Sequence, residues 1–595
     1  MSAARPRLLV VGGASLDVLH FSGRTARSAG GAGLYTALAA VRAGARVTMY
    51  APRPEPMPDD LRPALPLIEW VGPVVAPDEL PRFEIVNQGG GRTELKSLFW
   101  GAEQSLRPEQ APDPGDGWIY CVPFADPALQ LAFVRHFKAG GARVACGTYA
   151  PLAAAHAAVV REAAALTDAF FCNETEALTL FGSVDGTRAL TGRFLFVTRG
   201  ASGARVLQGA HRTDLPGLPA RELDPTGAGD TFCGTVLARL AHGEHPVEAA
   251  RRAIAQATET IEDVGPRALL QEGPAPDPPE DCRVVLDADG LGRVAAVLEK
   301  SPEVRAFDFV GDLFPPVGHP RALDFFFAAT LQQFGFWSLD EGRWGGPMVA
   351  PLGGRLLKGS DYLWAAYRRW MDHDPLGLST EGQAALETST FDRRLADDEG
   401  RQPLPEACLY LDAARSYGTD MTTLDLTPAV VVGRAAAAAS PAAALLMQLD
   451  HVGGYKEDPL RKKSALLALI LRERPEGFVP RTGDDVPPIV DYHVQRSLLR
   501  LGVLRVEDEA LAARLVARRL LEPGDEQAVR RAAFRAMSRL RDESGRGMAA
   551  CDYFLFQMRH RCPETREPEC ALCPADPACA HRKELFQPVF RTTFY

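Results

Sequence analysis

The chain of 595 residues is expected to fold as two domains of different class. The first is α/β, with a parallel-rich sheet and helices on both faces. The second is mostly α-helical and carries a four-cysteine loop near its end. Three observations predict this. Short apolar runs alternate with helical patterns from Arg7 to Thr198, as strands do when helices cross between them in a mostly parallel sheet. From Asp281 onward helical patterns dominate, and the only strand-like stretches lie near Val284 and Arg343–Lys358. Between the halves, Gln271–Glu280 (QEGPAPDPPE) holds four prolines in ten residues and no periodicity, which reads as a semi-rigid linker. The expected boundaries are 1–272, a linker at 273–283, and 284–595.

Composition narrows the class. The chain is 46% hydrophobic and 24% charged, ordinary for a soluble globular protein. No stretch reaches about 18 apolar residues without a charge, so no membrane span is expected. The N-terminus (MSAARPRLLVVGG) runs into a buried-strand pattern without a signal peptide's cleavage region, and a cytoplasmic location is expected. A net charge of −10 argues against wrapping bulk nucleic acid and leaves room for a small nucleotide.

In the first half, Arg7–Gly13 (RLLVVGG) reads as a buried parallel strand, with Asp17 just past its carboxyl end, where open α/β sheets bind ligands. Gly30-Gly31-Ala32-Gly33 opens a helix at Leu34–Ala43, and its glycines allow close backbone approach to a substrate. Strands follow at Trp118–Val122, Arg143–Cys146, Ala169–Cys172 and Phe194–Thr198. Helices are expected at Ala128–Ala139, Leu152–Leu166 and Glu176–Phe181. The half is organised around Leu223–Phe232 (LDPTGAGDTF). Gly227 and Gly229 allow a turn whose amides converge on one point, and the apolar run Thr231–Ala241 reads as a helix with its N-terminus at that point. Together they make an anion site, and Asp230 beside it can take a proton from an attacking hydroxyl.

DPTGAGDTF resembles the C-terminal signature of the ribokinase-like (phosphofructokinase-B type) carbohydrate and nucleoside kinases. Asn173-Glu174-Thr175-Glu176, Thr198-Arg199-Gly200-Ala201-Ser202-Gly203, Gly13–Asp17 and Gly30-Gly31 resemble the other motifs of that family, in its order. The resemblance implies ATP and Mg²⁺ as cofactors and a small-molecule nucleoside or sugar as acceptor. It makes Asp230 the base, and Gly227, Ala228 and Gly229 the anion cradle. Asp17, Gly30 and Gly31 fall on the acceptor side. Asn173 and Glu176 arrange the metal and its waters, and Thr198, Gly200 and Gly203 line the nucleotide. Asn173 and Glu176 also have capping-box spacing. Two departures bear on specificity: Leu34-Tyr35-Thr36 stands where the family often has an Asn, and twelve residues between Asp17 and Gly30 imply a shortened β-lid.

In the second half, helices are expected at Ala322–Phe334, Tyr362–Arg369, Leu404–Arg415, Ala435–Asp450, Arg461–Arg472, Val494–Leu501, Glu526–Arg541 and Ala549–Met558. Several stretches resemble the queuosine 5′-phosphate N-glycosylases (queuosine salvage proteins), themselves related to helix-hairpin-helix DNA glycosylases. They include Gln333–Ser338, Leu357–Trp364, Leu460–Ala465 (LRKKSA), Val490–Val494 (VDYHV), Cys551–Leu555 and the final Phe590–Tyr595. Cleaving a C1′–N bond builds positive charge on the ribose, so one carboxylate and one cation suffice. Asp491 and Lys462 are the catalytic candidates, and Tyr492, Phe336 and Trp337 could hold the base by stacking. Asp491 also suits an N-cap, and Lys462 in an Arg/Lys run also suits a solvated face. Phe325-Phe326-Phe327 reads as core.

Seven of the eleven cysteines are scattered and read as small core residues; four crowd into Cys562-x7-Cys570-x2-Cys573-x5-Cys579. Four thiols within eighteen residues suit a metal centre. The spacing resembles the [4Fe–4S] loop of endonuclease-type DNA glycosylases, which usually has six residues in its first gap; structural Zn²⁺ is the alternative. The function expected is ATP-dependent 5′-phosphorylation of a ribonucleoside, with queuosine favoured, then N-glycosidic hydrolysis, by a monomer or homodimer. The alternative is a carbohydrate kinase fused to a DNA-repair-like glycosylase or a binding module.

Overall fold

A computed structural model describes residues 5–21, 23–301, 307–482 and 485–595. Residues 1–4, which the N-terminal reading includes, lie outside the described residues. The chain divides into two compact units, Met1–Pro279 and Glu280–Tyr595. Among the described residues no helix is long and apolar enough to cross a membrane.

The apolar runs of the first unit build a nine-stranded sheet. Its parallel part runs β6 (Glu69–Val71), β4 (Arg46–Tyr50), β1 (Arg7–Val11), β10 (Trp118–Cys121), β11 (Arg143–Gly147), β12 (Ala169–Asn173), β13 (Phe194–Thr198). β14 (Ala204–Gln208) and β15 (His211–Leu215) extend it antiparallel. The middle strands are almost wholly buried, as expected where helices cover both faces. Those helices are α1 (Ala32–Arg42), α2 (Pro127–Ala139), α3 (Ala150–Ala155), α4 (Ala157–Leu166), α5 (Glu174–Phe181), α6 (Ala228–Ala241) and α7 (Pro246–Ile261). Chain order reverses at β1, which lies between β4 and β10, so a crevice opens at the carboxyl edge there. The Gln130 amide of α2 pins that edge, donating to the carbonyls of Cys121, Val122 and Gly147 at 2.9–3.1 Å.

A separate four-stranded sheet, ordered β3 (Arg24–Gly30), β2 (Ser15–Phe21), β8 (Arg82–Gly89), β9 (Arg92–Phe99), rises from the crevice. A short ladder of β5 (Arg53–Pro54) with β7 (Val74–Val75) lies outside both sheets. The twelve residues between Asp17 and Gly30 form only part of the four-stranded sheet. Its first hairpin is brief, and β8–β9 completes it. The Gly89-Gly90-Gly91 turn between two alternating strands was the overlooked signal. The front of the linker is bonded to its own unit: Ala275 N–H donates to Arg42 O (2.9 Å) and Arg42 Nη2 to Pro274 O (3.2 Å).

Two glycines set the depth of α1 and α6. A Cβ on Gly33 would fall 2.0 Å from Gly12 O, and one on Gly234 would fall 2.2 Å from Thr36 O. Helix α1 thus lies backbone-to-backbone on the end of β1, and α6 lies the same way on α1.

The second unit is mainly helical, with short antiparallel pairs at Val284–Leu286 with Leu504–Val506, Trp337–Asp340 with Arg343–Pro347, and Val349–Leu352 with Arg355–Lys358. Phe325, Phe326 and Phe327 are buried in its core, on the helix Ala322–Thr330. Five scattered cysteines are buried, whereas Cys282 and Cys408 are exposed, against the core reading for those two.

Substituting Gly234→Ala should push α6 off α1. Urea unfolding is expected to show a loss of about 1–3 kcal/mol, the usual cost of overpacking, in the transition of the first unit.

Candidate functional site

In the first unit, the loops leaving β1, β10, β11, β12 and β13 and the N-terminus of α6 enclose a cavity of about 330 Å³. Asp17, Gly31, Asn173, Glu176, Thr198, Gly227, Gly229 and Asp230 all line it. Gly227 is the N-cap of α6, with φ 78°, and a Cβ there would strike the Tyr35 ring at 2.3 Å. The turn before it is fixed by buried Asp224, which accepts from Thr226 N–H (3.1 Å) and Gly265 N–H (3.0 Å). Asp230 stands in the first helical turn, facing the cavity, and desolvation raises its carboxyl to about 7.

Other residues read from the sequence act behind the wall. Ala228 N–H is turned into its own loop, donating to Pro225 O (3.3 Å), so it does not serve the anion cradle. Gly30 makes room for Asp17, whose Oδ2 would lie 1.8 Å from a Cβ there. Gly200 and Gly203 do not line the cavity; they shape the β13–β14 turn, where a Cβ on Gly203 would meet Leu215 O at 2.1 Å. Asn173 and Glu176 form a reciprocal capping box at the start of α5 (Glu176 N–H to Asn173 Oδ1 2.9 Å, Asn173 N–H to Glu176 Oε2 2.8 Å). Burial first, and then the Asp230 charge, bring the Glu176 carboxyl to about 7. Asp17 is buried on β2 and accepts from Phe83 N–H (3.3 Å); burial takes it to about 7 as well.

Three groups were not read from the sequence. Glu103 is buried in the cavity wall and accepts from Gly13 N–H at 2.7 Å. Phe83, Trp100 and Tyr149 form an aromatic wall, with ring centroids 5.3 and 5.9 Å apart. The hydroxyls of Tyr35, Thr148 and Thr226, residues of the cavity lining, are buried without a hydrogen-bond partner among the described residues, which is costly.

Residues 121–272 match the model of the pfkB family of carbohydrate kinases. The chain contains a PfkB-family kinase domain. A cytidine kinase of Thermococcus kodakarensis is 28% identical over 273 residues, covering 43% of this chain and 97% of that protein. A ribokinase of Bacillus subtilis is 39% identical over 82 residues, 13% of this chain and 28% of that one. Among solved structures, a nucleoside kinase of Burkholderia thailandensis in complex with inosine is similar at 21% identity and a TM-score of 0.39, over 45% of this chain and 94% of its own.

Outside the PfkB-family domain, the second unit holds a cavity of about 480 Å³ lined by Asp491, Lys462, Phe336 and Tyr492. Trp337 is not among its walls. It is buried on the strand Trp337–Asp340, beside Phe586 and Val589, with the Arg591 guanidinium 4.1 Å over its ring, so it cannot hold a base there.

Lys462 is buried rather than solvated. It begins the helix Lys462–Glu473, and its Nζ donates to Gln333 O at 2.8 Å. Burial lowers its pKa, against the pull of Asp491 and Asp552. Its backbone N–H is held by Asp458 Oδ2 (2.7 Å), and Arg530 grips both oxygens of Asp458 at 2.7–2.8 Å. Asp491 is the N-cap of the helix Tyr492–Leu501, its Oδ1 accepting from Val494 N–H at 2.9 Å. That uses one oxygen for capping; the residue still lines the cavity.

Sequence reasoning missed other polar groups of this cavity: Lys358, Arg559, His493, Asp361 and Asp552 also line it. Behind it, Glu564 is buried against Lys358 Nζ (2.8 Å), Arg496 Nη1 (3.3 Å) and His493 Nδ1 (3.4 Å). Burial alone would raise its carboxyl, but these cations hold it well below the usual range.

The four loop cysteines are half-buried and free. Arg500 Nη1 donates to Cys562 Sγ (3.1 Å), and His581 N–H donates to Cys579 Sγ (3.3 Å). Among the described residues, the donor set whose ligand atoms lie within 4.8 Å of one another is Cys570, Asp576 and His581; it holds one of the four cysteines and two residues not read from the sequence.

Glu564→Gln should leave buried Arg496 without its counter-charge and cost about 3 kcal/mol of unfolding free energy. The deficit should be full above about pH 4.3, the ordinary Glu value, and shrink below it as the carboxylate of the unfolded wild-type chain takes up a proton while the folded one stays charged. Urea unfolding at pH 7 and pH 3.5 measures it.

Proposed function

We propose that the protein is a bifunctional nucleoside salvage enzyme. The PfkB-family domain transfers the γ-phosphoryl of ATP to the 5′-hydroxyl of a ribonucleoside, with queuosine favoured. The second unit hydrolyses the N-glycosidic bond of the resulting 5′-phosphate, releasing the free base and ribose 5-phosphate. The observation that carries the first half is that Asp230, the α6 N-terminus and Asp17 share one cavity. The Thermococcus cytidine kinase, aligned over 97% of its length, supports a ribonucleoside acceptor. The aromatic wall of Phe83, Trp100 and Tyr149 gives such an acceptor's base a surface to stack on.

Asp17 holds ribose hydroxyls, and Asp230, once ionised, takes the proton of the 5′-hydroxyl as its oxygen attacks the γ-phosphorus. The amides at Gly229 and Asp230, at the positive end of α6, face the phosphoryl oxygens. The paired carboxyls of Glu176 and Asp230 suit a divalent cation, which would lower the repulsion between them and neutralise phosphate charge.

For the second half, the supporting observation is that Asp491, Lys462, Phe336 and Tyr492 meet in one cavity. Asp491 balances the positive charge that develops at C1′, while Lys462, anchored to Gln333, steadies the departing base or the phosphate. The four cysteines would hold a [4Fe–4S] cluster, or Zn²⁺ in the alternative reading, which pins the C-terminal loop.

Chromatography of queuosine incubated with ATP and Mg²⁺, beside damaged duplex DNA and simple sugars, tests the whole. Queuine appearing only when ATP is present is expected. Nicked DNA would favour a repair-like second unit, and phosphorylated sugar alone a sugar kinase with a scaffold. Asp230→Asn should lower phosphorylation by at least about 100-fold with the fold intact by circular dichroism. Because burial raises the Asp230 carboxyl to about 7, it is charged above that pH, so wild-type kcat/KM for the acceptor should climb as pH rises through about 7. Asp491→Asn should stop release of the base while phosphorylation continues.

A further inference from the structure

Resting on the glycosidase reading above, we propose that the second cavity works with two carboxyls in opposite protonation states: Asp552 gives its proton to the departing base, while Asp491 stays charged beside C1′. The two arrive from different elements. Asp552 lies on the helix Met548–Gln557, which packs on the helix Tyr492–Leu501 that Asp491 caps, and both residues line the cavity together with Lys462. Their surroundings differ. Asp491 accepts the helix amide of Val494 with one carboxyl oxygen. Asp552 makes no side-chain hydrogen bond recorded among the described residues, so its proton is not committed to a neighbour. Asp491, Lys462 and Arg559 are the charges that act on it, and Asp361, Lys358 and His493 line the same cavity. Burial, and then the Asp491 charge, push the Asp552 carboxyl up to about 8 against Lys462 and Arg559. Lys462 cannot simply fold over and neutralise it, because its ammonium is tied to Gln333 O. Two acids in one cavity with different surroundings are the usual basis for a division into acid and base.

The chemistry needs this division. When the C1′–N bond breaks, its electron pair goes to the base, and a purine-like anion is a poor leaving group in water. A proton from Asp552 lets the base leave neutral. Water then bonds to C1′ and gives a proton to Asp491, which returns it to Asp552. The sum is nucleotide plus water to base plus ribose 5-phosphate, with no oxidation or reduction.

The test compares queuosine 5′-monophosphate with 7-methylguanosine 5′-monophosphate, whose cationic base leaves neutral without gaining a proton. Asp552→Asn is expected to lower kcat on the first by at least about 100-fold and on the second by under about 10-fold, with little change in KM. Asp491→Asn should fail on both, and Asp552→Glu should recover part of the loss. Wild-type kcat/KM on queuosine 5′-monophosphate should fall above about pH 8, where Asp552 loses its proton, and this limb should vanish in Asp552→Asn. Equal impairment of Asp552→Asn on both substrates, no impairment, or a wild-type profile flat to pH 10 would overturn the assignment. If wild type refuses the methylated nucleotide, the alkaline limb and the Glu variant decide. If wild type cleaves neither, the glycosidase reading falls and takes this assignment with it.

Discussion

The kinase site depends on backbone lying directly on backbone. Gly33 sets α1 against the carbonyl of Gly12 at the end of β1, and Gly234 sets α6 against the carbonyl of Thr36 on α1. Side chains at either place would hold the helices apart. Because both are absent, the N-terminus of α6 is brought to the crevice opened by the reversal of strand order at β1, and Asp230 comes with it. The Gln130 amide holds the neighbouring strand ends together, so the wall opposite α6 is fixed as well. The anion cradle is thus a product of packing as much as of its own glycines.

The second unit reaches a comparable placement by a different physical route. Its functional candidates are held by charge inside the protein. Arg530 clamps Asp458, Asp458 holds the backbone of Lys462, and the Lys462 ammonium reaches Gln333. Each link is buried, and burial makes unpaired charge expensive, so the chain of contacts fixes one arrangement. Glu564 plays the same part on the opposite side, among Lys358, Arg496 and His493.

Much of the first unit was legible because its signals are local. Unbroken apolar runs gave β1, β10, β12 and β13, and LDPTGAGDTF gave the turn, the helix start and Asp230. What stayed hidden depends on tertiary contact. Gly200 and Gly203 look like ligand-facing residues in sequence but serve a turn, and the close neighbour of Gly203, Leu215 O, lies across a hairpin. Glu103, a charged residue in a short turn, gave no sign that folding would bury it against Gly13. In the second unit the family resemblance of Val490–Val494 made Asp491 visible, yet it could not separate Tyr492, in the cavity, from Trp337, sealed under Arg591. Lys462 was a catalytic candidate in sequence that equally suited a solvated face, because a run of basic residues carries no mark of the aspartates that fold against it.

The four-stranded sheet is bonded to the stretch that leads into the turn before α6. Asn87 Nδ2 on β8 donates to Leu223 O (3.0 Å), and Gly91 N–H donates to Glu222 (2.8 Å). Gly265, whose amide is held by Asp224, fits beneath Ser28 of β3. Under the proposed kinase reading, an acceptor that seats this sheet would also order the chain ahead of Asp224, and a nucleotide that orders that chain would also steady the sheet. Thermodynamic linkage then makes the two affinities reciprocal, each ligand tightening the other by the same factor.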